Sequence, residues 1–378
     1  MQCSLLHDLA PRAAKLWGDR PFLLRWLASG GLQPPISFAA FASWTELACA
    51  ELRSLGVTRG TRVAVLAHAC ADSLALSLAV PAVGGILINL NWRHSEPTLR
   101  SLIASMDCEL LVISRGLAEL GRRLGAVGSV RALLMLEGCE AEPGVQSVRE
   151  HAFSCDPALR RDGGGAAAEA DGAPSSHQPS ARGGAAPSDV AVVMFTSGTS
   201  SLPKAVPLTH CALLWSCAAK EAAEADVLGL VSPGLALQRG EASGMEAHRG
   251  TLAFLPTFHV IGFTNNFLFN LHAGVPCLLH CDAPTVPVTG RLILRACAEL
   301  RPSIVDTVPA LLEALVPLTA EECAPLAECA AVLYGGSSLA EHTAVSLREG
   351  GVRLCSQYGQ TELGGMAMLG HPSAPHGA

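Results

Sequence analysis

The chain has 378 residues and a formal net charge of −7; 49% of its side chains are hydrophobic and only 4% aromatic. That length suits one large domain or two smaller ones with a full core. An acidic balance without a basic run excludes a nucleic-acid partner, and so few aromatics argue against a single-strand stacking platform.

Residues 1–45 read as irregular. From 45 to 55 apolar positions recur at helical spacing, and Gly56 and Gly60 end that element. Residues 62–67 read as a strand, Asp72 as the cap of the helix that follows, and Gly84-Gly85 as the turn into a second strand at 86–90. The uncharged stretch 73–92 is long enough to cross a bilayer, but Pro81, the glycine pair and Asn89 break it into core elements. Neither a transmembrane segment nor a secretory signal is expected. Strand, helix, strand at this spacing is a parallel crossover unit, repeated by helix 95–106 and strand 109–113. The 14 cysteines, among them Cys49, Cys70, Cys108, Cys211 and Cys297, are scattered through apolar segments. That pattern fits buried free thiols in a reducing compartment, so a cytoplasmic location is expected.

Residues 156–188, rich in Gly, Ala, Ser and Pro, read as a flexible linker or insertion between an α/β part at 1–155 and a second at 189–378. Residues 229–250 form a second, glycine-containing insertion. Alternation then resumes: strand 251–255, helix 260–272, strand 275–280, helix 289–300, strand 304–308, helix 309–316, strand 330–334, helix 339–348, strand 352–356. The fold class expected is α/β, with doubly wound, mainly parallel sheets and helices on both faces. Cys277, His280, Cys281 and Asp282 are either a metal-binding cluster or core residues, and no second cluster at zinc-like spacing completes them.

The chain is organised around 189–210, DVAVVMFTSGTSSLPKAVPLTH. A buried strand gives way to Thr196, Ser197, Gly198, Thr199, Ser200 and Ser201, then Pro203 and Lys204. Glycine lets backbone N–H groups approach an anion, the hydroxyls donate, and the lysine adds a point charge. A polar surface turn would have the same composition. A Walker loop is excluded, because Pro203 stands where that pattern needs glycine. Three further segments end strands, where open α/β sheets bind ligands: LPTFHVIGF at 255–263, YGGSSL at 334–339 and SQYGQTELGG at 356–365. A lone histidine or a glycine pair at such places is also ordinary turn chemistry.

TSGTSSLPK resembles the phosphate loop of the adenylate-forming superfamily, which includes acyl-CoA synthetases, luciferases and peptide-synthetase adenylation domains. Thr196, Ser197, Gly198, Thr199, Pro203 and Lys204 match; Ser200 is a conservative change and Ser201 replaces a glycine. Pro256, Phe258, His259 and Gly262 resemble the family's Pro-x-Phe-His-x-x-Gly element. Gly335, Gly336 and Leu339 match a Gly-Gly-Ala-Pro-Leu stretch, with Ser337 and Ser338 departing from it. Tyr358, Gly359, Thr361 and Glu362 match Tyr-Gly-x-Thr-Glu.

The resemblance implies a large N-terminal domain that uses ATP and Mg²⁺ to activate a carboxylic acid, then passes the acyl group to coenzyme A or a carrier-protein pantetheine. Catalysis is expected from Thr196, Lys204, His259 and Glu362, with Glu362 as the metal ligand. Nucleotide contacts fall on Ser197, Gly198, Thr199, Ser200, Gly336, Ser337, Ser356, Gln357, Tyr358, Gly359 and Thr361. Phe258, His259, Gly262, Gly335 and Gly336 are expected to line the acid's pocket. Because His259 stands where amino-acid-activating members carry Asp, that pocket is expected to be apolar, to take a fatty or other acyl acid, and to hold no buried carboxylate for an ammonium. Rival readings are a module that loads a carrier protein, a non-catalytic nucleotide- or acyl-binding remnant, and an unrelated doubly wound fold. Sixteen residues follow Glu362 (378 − 362 = 16), without Asp, Glu, Lys or Arg. The family's ribose-binding Asp and its C-terminal lid with a catalytic lysine are therefore expected to be absent, and the chain alone to bind nucleotide without completing the reaction.

Overall fold

The protein is described by a computed structural model covering residues 4–28, 31–136, 149–156, 185–196, 202–240, 248–280, 286–316 and 318–373. Ser197, Gly198, Thr199, Ser200 and Ser201, the linker at 157–184, and Cys281 and Asp282 lie outside the described residues.

Short runs of branched and apolar residues make two mainly parallel sheets. The first runs, in spatial order, Lys204–Thr209, Val190–Thr196, Ile86–Asn89, Arg62–Leu66, Leu110–Ile113, Ala132–Met135 and Arg149–Ala152. Only its Lys204–Thr209 edge is antiparallel. The second runs Gly365–Leu369, Leu354–Gln360, Ala331–Tyr334, Ile304–Thr307, Thr251–Ala253, Cys277–His280, Pro21–Leu27 and Gly31–Leu32, with Ile36–Ser37 also pairing with Pro21–Leu27. Both sheets thus draw on chain from either side of 156–188. Central strands such as Leu110–Ile113 and Ala331–Tyr334 are buried at every position, as strands covered on both faces must be.

Three main cores set the layers. The largest joins inward side chains of both sheets, including Val63, Val65, Phe22 and Leu279, through helices Leu9–Trp17, Phe38–Ser54, Ala71–Ala82 and His210–Ala223. The outer face of the second sheet is covered by Gly290–Leu300, Ala320–Ala327 and Glu341–Glu349, and that of the first by Glu96–Ser105 and Ala118–Leu124. Helices therefore lie between the sheets and outside each one.

Three local expectations change. The described residues of 1–45 form regular elements: Leu9, Ala10, Ala13 and Trp17 share the buried side of a helix that accommodates Pro11 in its first turn, where no N–H is needed. Asp72 is not the helix cap. Cys70 and Ser73 cap that helix reciprocally, and buried Asp72 accepts a 2.7 Å bond from the Cys155 backbone. Within 229–250, Ser232 caps a short helix, Pro233–Arg239. The cysteines among the described residues are free thiols, mostly buried. Among those residues, no helix is long and apolar enough to cross a membrane.

Candidate active site

The phosphate-loop stretch begins as a β-hairpin. Antiparallel register puts Lys204 directly opposite Thr196 across the two strands that frame residues 197–201. Thr209 then caps the helix His210–Ala223 by accepting from Ala212 N at 3.2 Å. A single 3₁₀ turn, Thr361–Leu363, packs against both hairpin strands. Four expected site residues, Thr196, Lys204, Thr361 and Glu362, are thereby gathered at one loop. Lys204 and Glu362 are exposed, and neither forms an ion pair among the described residues.

Strand Leu354–Gln360 leads directly into the Thr361–Leu363 turn. It lies parallel to Ala331–Tyr334 and then turns back antiparallel into Gly365–Leu369. Tyr358 and Gly359 are exposed and Ser356 half-buried; Gln360 donates its side-chain amide to the Tyr358 hydroxyl. Gly336 and Ser337 are exposed, and Gly336 has φ +89°, a left-handed conformation that favours glycine. Gly335 is required for closeness instead. A Cβ there would stand 2.6 Å from the Gln357 carbonyl oxygen and 2.7 Å from its Cγ.

The His259 element is anchored from the other sheet. Asn89 Nδ2 donates to the Thr257 carbonyl at 2.6 Å. Buried Phe258 meets Trp92 edge-on at 6.0 Å, and the Arg93 guanidinium lies 4.9 Å from the Trp92 ring and 5.8 Å from that of Phe258. The His259 ring sits 4.6 Å from Phe258. Desolvation, with the charges of Arg93 and His94, lowers the His259 pKa, so its imidazole is neutral at neutral pH. Gly262 has no room for a side chain, because a Cβ would run into the Pro256 carbonyl; the π-helical turns Ile261–Leu268 start there. Trp92, Arg93 and His94 were not singled out by the sequence reading. They follow the end of the strand Ile86–Asn89, where such sheets bind ligands, and that was the available signal.

Beneath the Gly335–Gly336 turn lies a buried polar network. Gln357 donates its amide to Asp306 Oδ1 and faces Asn265, whose Nδ2 lies 3.4 Å from Gln357 Oε1. Asn265 Oδ1 accepts from Met366 N at 3.3 Å. One face further, buried Lys220 pairs with buried Glu224 one turn along its helix, and lies 4.6 Å from the Phe269 ring. Burial raises the Glu224 pKa, and raises that of Asp306 from 3.8 to about 6 against the pull of Lys220. Burial also opposes ionisation of Glu221, but hydrogen bonds from His272 and Ser232 outweigh it and lower its pKa.

Among the described residues no group of three or more His, Cys, Asp or Glu could cage a metal ion. One exposed carboxylate, Glu362, remains beside the loop, which fits a magnesium ion that takes most of its ligands from phosphates and water.

Comparison with known proteins bears on the family and the fold. The family of AMP-binding enzymes matches residues 11–377. An indoleacetate–CoA ligase of Aromatoleum aromaticum is 26% identical over 332 residues, covering 86% of this chain and 55% of its own length. The chain therefore spans about half the length of that relative. The solved anthranilate CoA ligase AuaEII, in complex with anthranoyl-AMP, superposes with a TM-score of 0.74 at 16% identity, covering 99% of this chain and 62% of its own. The inhibitor-bound N-terminal domain of FACL13 from Mycobacterium tuberculosis gives 0.68 at 19% identity, with 98% and 78% covered. At these identities the structural likeness establishes the mainly parallel α/β fold.

Proposed function

The chain belongs to the family of AMP-binding enzymes, and from that premise we propose that it activates a carboxylic acid with ATP as an acyl-adenylate and then forms a thioester with coenzyme A. The substrate class is an acyl acid, fatty or aryl, rather than an α-amino acid. The observation that carries this reading is the hairpin register, with Thr196 opposite Lys204 and the Thr361–Glu362 turn packed on the same strands.

In the first half-reaction the acid's carboxylate attacks the α-phosphorus and pyrophosphate leaves. That step needs positioning and charge stabilisation more than covalent help. Lys204 supplies a charge, and Thr196 and Thr361 supply hydroxyl donors, at the place where phosphate oxygens gain negative charge. Glu362 would hold Mg²⁺, which supplies charge neutralisation on the phosphates. Tyr358 offers an exposed ring face for adenine. Neutral His259, on its aromatic base, can hydrogen-bond the carboxylate without trapping it as an ion pair. In the second half-reaction a thiol attacks the adenylate and AMP leaves.

The test is incubation with MgATP, coenzyme A and a panel of acyl and aryl acids, followed by mass spectrometry for AMP and acyl-CoA. Acid-dependent formation of both is what the proposed activity requires, and it would overturn the sequence-based expectation that this chain alone binds nucleotide without completing the reaction. AMP formation with acyl transfer only to a phosphopantetheinyl carrier protein would overturn the choice of acceptor, and no acid-dependent AMP would overturn the activity.

A further inference from the structure

The interior beneath the Gly335–Gly336 backbone holds charge that the activation chemistry does not use. Asp306 lies on the strand Ile304–Thr307, Cα-paired with Leu333, two residues before Gly335. Gln357 packs directly against Gly335 and donates to Asp306, while Asn265 joins Gln357 to the helix that follows His259. Three substrate-side elements of the sequence thus converge on one carboxyl group: the His259 helix, the glycine turn and the strand carrying Tyr358.

The charges there do not balance. Lys220 and Glu224, 0% and 1% exposed, already match each other. Asp306 is 2% exposed, and its Oδ2 has no hydrogen-bond partner among the described residues. The same holds for Thr307 Oγ1 on the adjacent residue, and for Thr264 Oγ1 and Ser216 Oγ, whose side chains both border Gly365. An ionised oxygen taken out of water without a donor is costly. A ligand that brings its own donor removes it.

We infer that Asp306, held by Gln357, is a specificity-determining residue that receives an amine or hydroxyl donor carried by the acid at the end remote from its carboxylate. The inference rests on the acid-activation reading and deepens it. The remote end is indicated because Lys204 and Glu362 stand in solvent at the loop, whereas Asp306 lies sealed below the helix layer. An α-ammonium, by contrast, would come beside His259, where Arg93 and His94 disfavour positive charge. With its pKa raised to about 6, Asp306 is still mostly ionised at neutral pH and acts as an acceptor.

The experiment is calorimetric titration of the 378-residue chain, with AMP present, using near-isosteric acid pairs: para-aminobenzoate with para-methylbenzoate, ω-aminohexanoate with heptanoate, and ω-aminooctanoate with nonanoate. For the pair that fits the pocket, the donor-bearing acid should bind about 10- to 100-fold tighter. Asp306→Asn should shrink that ratio, and Asp306→Leu should reverse it, with near-UV circular dichroism checking each fold. A purely structural role would change the affinity of both members equally. AMP binding without discrimination within any pair overturns the Asp306 assignment alone. Failure to bind AMP overturns the nucleotide-site reading and the assignment together.

Discussion

Lys204 and Glu362 stand in water at the mouth of a hairpin, whereas Lys220, Glu224 and Asp306 are sealed between a helix and the second sheet. The same residue types therefore carry different physics in the two regions. An exposed lysine keeps its hydration until an anion arrives, so its contribution is realised in binding and scarcely in folding. A buried lysine has already lost its hydration, and the fold depends on its partner. Substitutions at the nucleotide end should change affinity and leave stability alone. Those in the interior should change stability first.

The sharpest way to break that contrast is Lys220→Met. Glu224 would keep its burial and lose its cation, so unfolding in urea should show a loss of about 3–5 kcal/mol. A variant as stable as the parent would mean that the interior pair does not behave as a buried one.

Asp306 should respond in the opposite direction. Its folded pKa, about 6, lies above its ordinary 3.8. The folded state therefore holds its proton more tightly than the unfolded chain. Folding is penalised as pH rises above the unfolded value, and the penalty is complete above the folded one. Asp306→Asn removes the penalty and should stabilise the protein by on the order of 3 kcal/mol at about pH 8, fading to nothing near pH 3.5. Thermal melting across that range reads it directly, and an advantage that grew toward acid would contradict the sign. Lys220 and Glu224 are the charged groups that face Asp306, so the profile is best repeated in Lys220→Met.

The smallest effect belongs to the exposed Arg59–Asp189 pair, 2.8 Å apart, which joins the first sheet's loops to the start of the hairpin strand. Arg59→Ala should cost less than about 1 kcal/mol, and high salt should erase even that. A larger loss would show that surface charge holds the hairpin in place.

How much the sequence disclosed follows the same division. Thr196, Lys204 and the Tyr358–Glu362 run are local patterns of hydroxyl, glycine and charge, readable because their chemistry lies within a few residues. Strand–helix alternation after residue 251 was legible apart from the helix Ala320–Ala327, since each element is short and apolar. Asp306 was not. Within SIVDTVP it looks like one polar interruption of a strand, and its meaning depends on Lys220, Asn265 and Gln357, which only the packing brings near. The helix Leu9–Trp17 was hidden because Pro11 reads as a breaker unless it falls in a first turn. The closing strand Gly365–Leu369 was hidden because its pairing partner, Leu354–Gln360, is itself half motif and half strand.

Nucleotide at the Thr196–Lys204 hairpin is the claim on which the rest depends, and MgATP calorimetry on the parent and Lys204→Ala tests it most directly. A single saturable site is expected in the parent, weakened by about 1.5–3 kcal/mol in the variant with an unchanged melting temperature. Equal affinities, or no saturable binding by the parent, would contradict it.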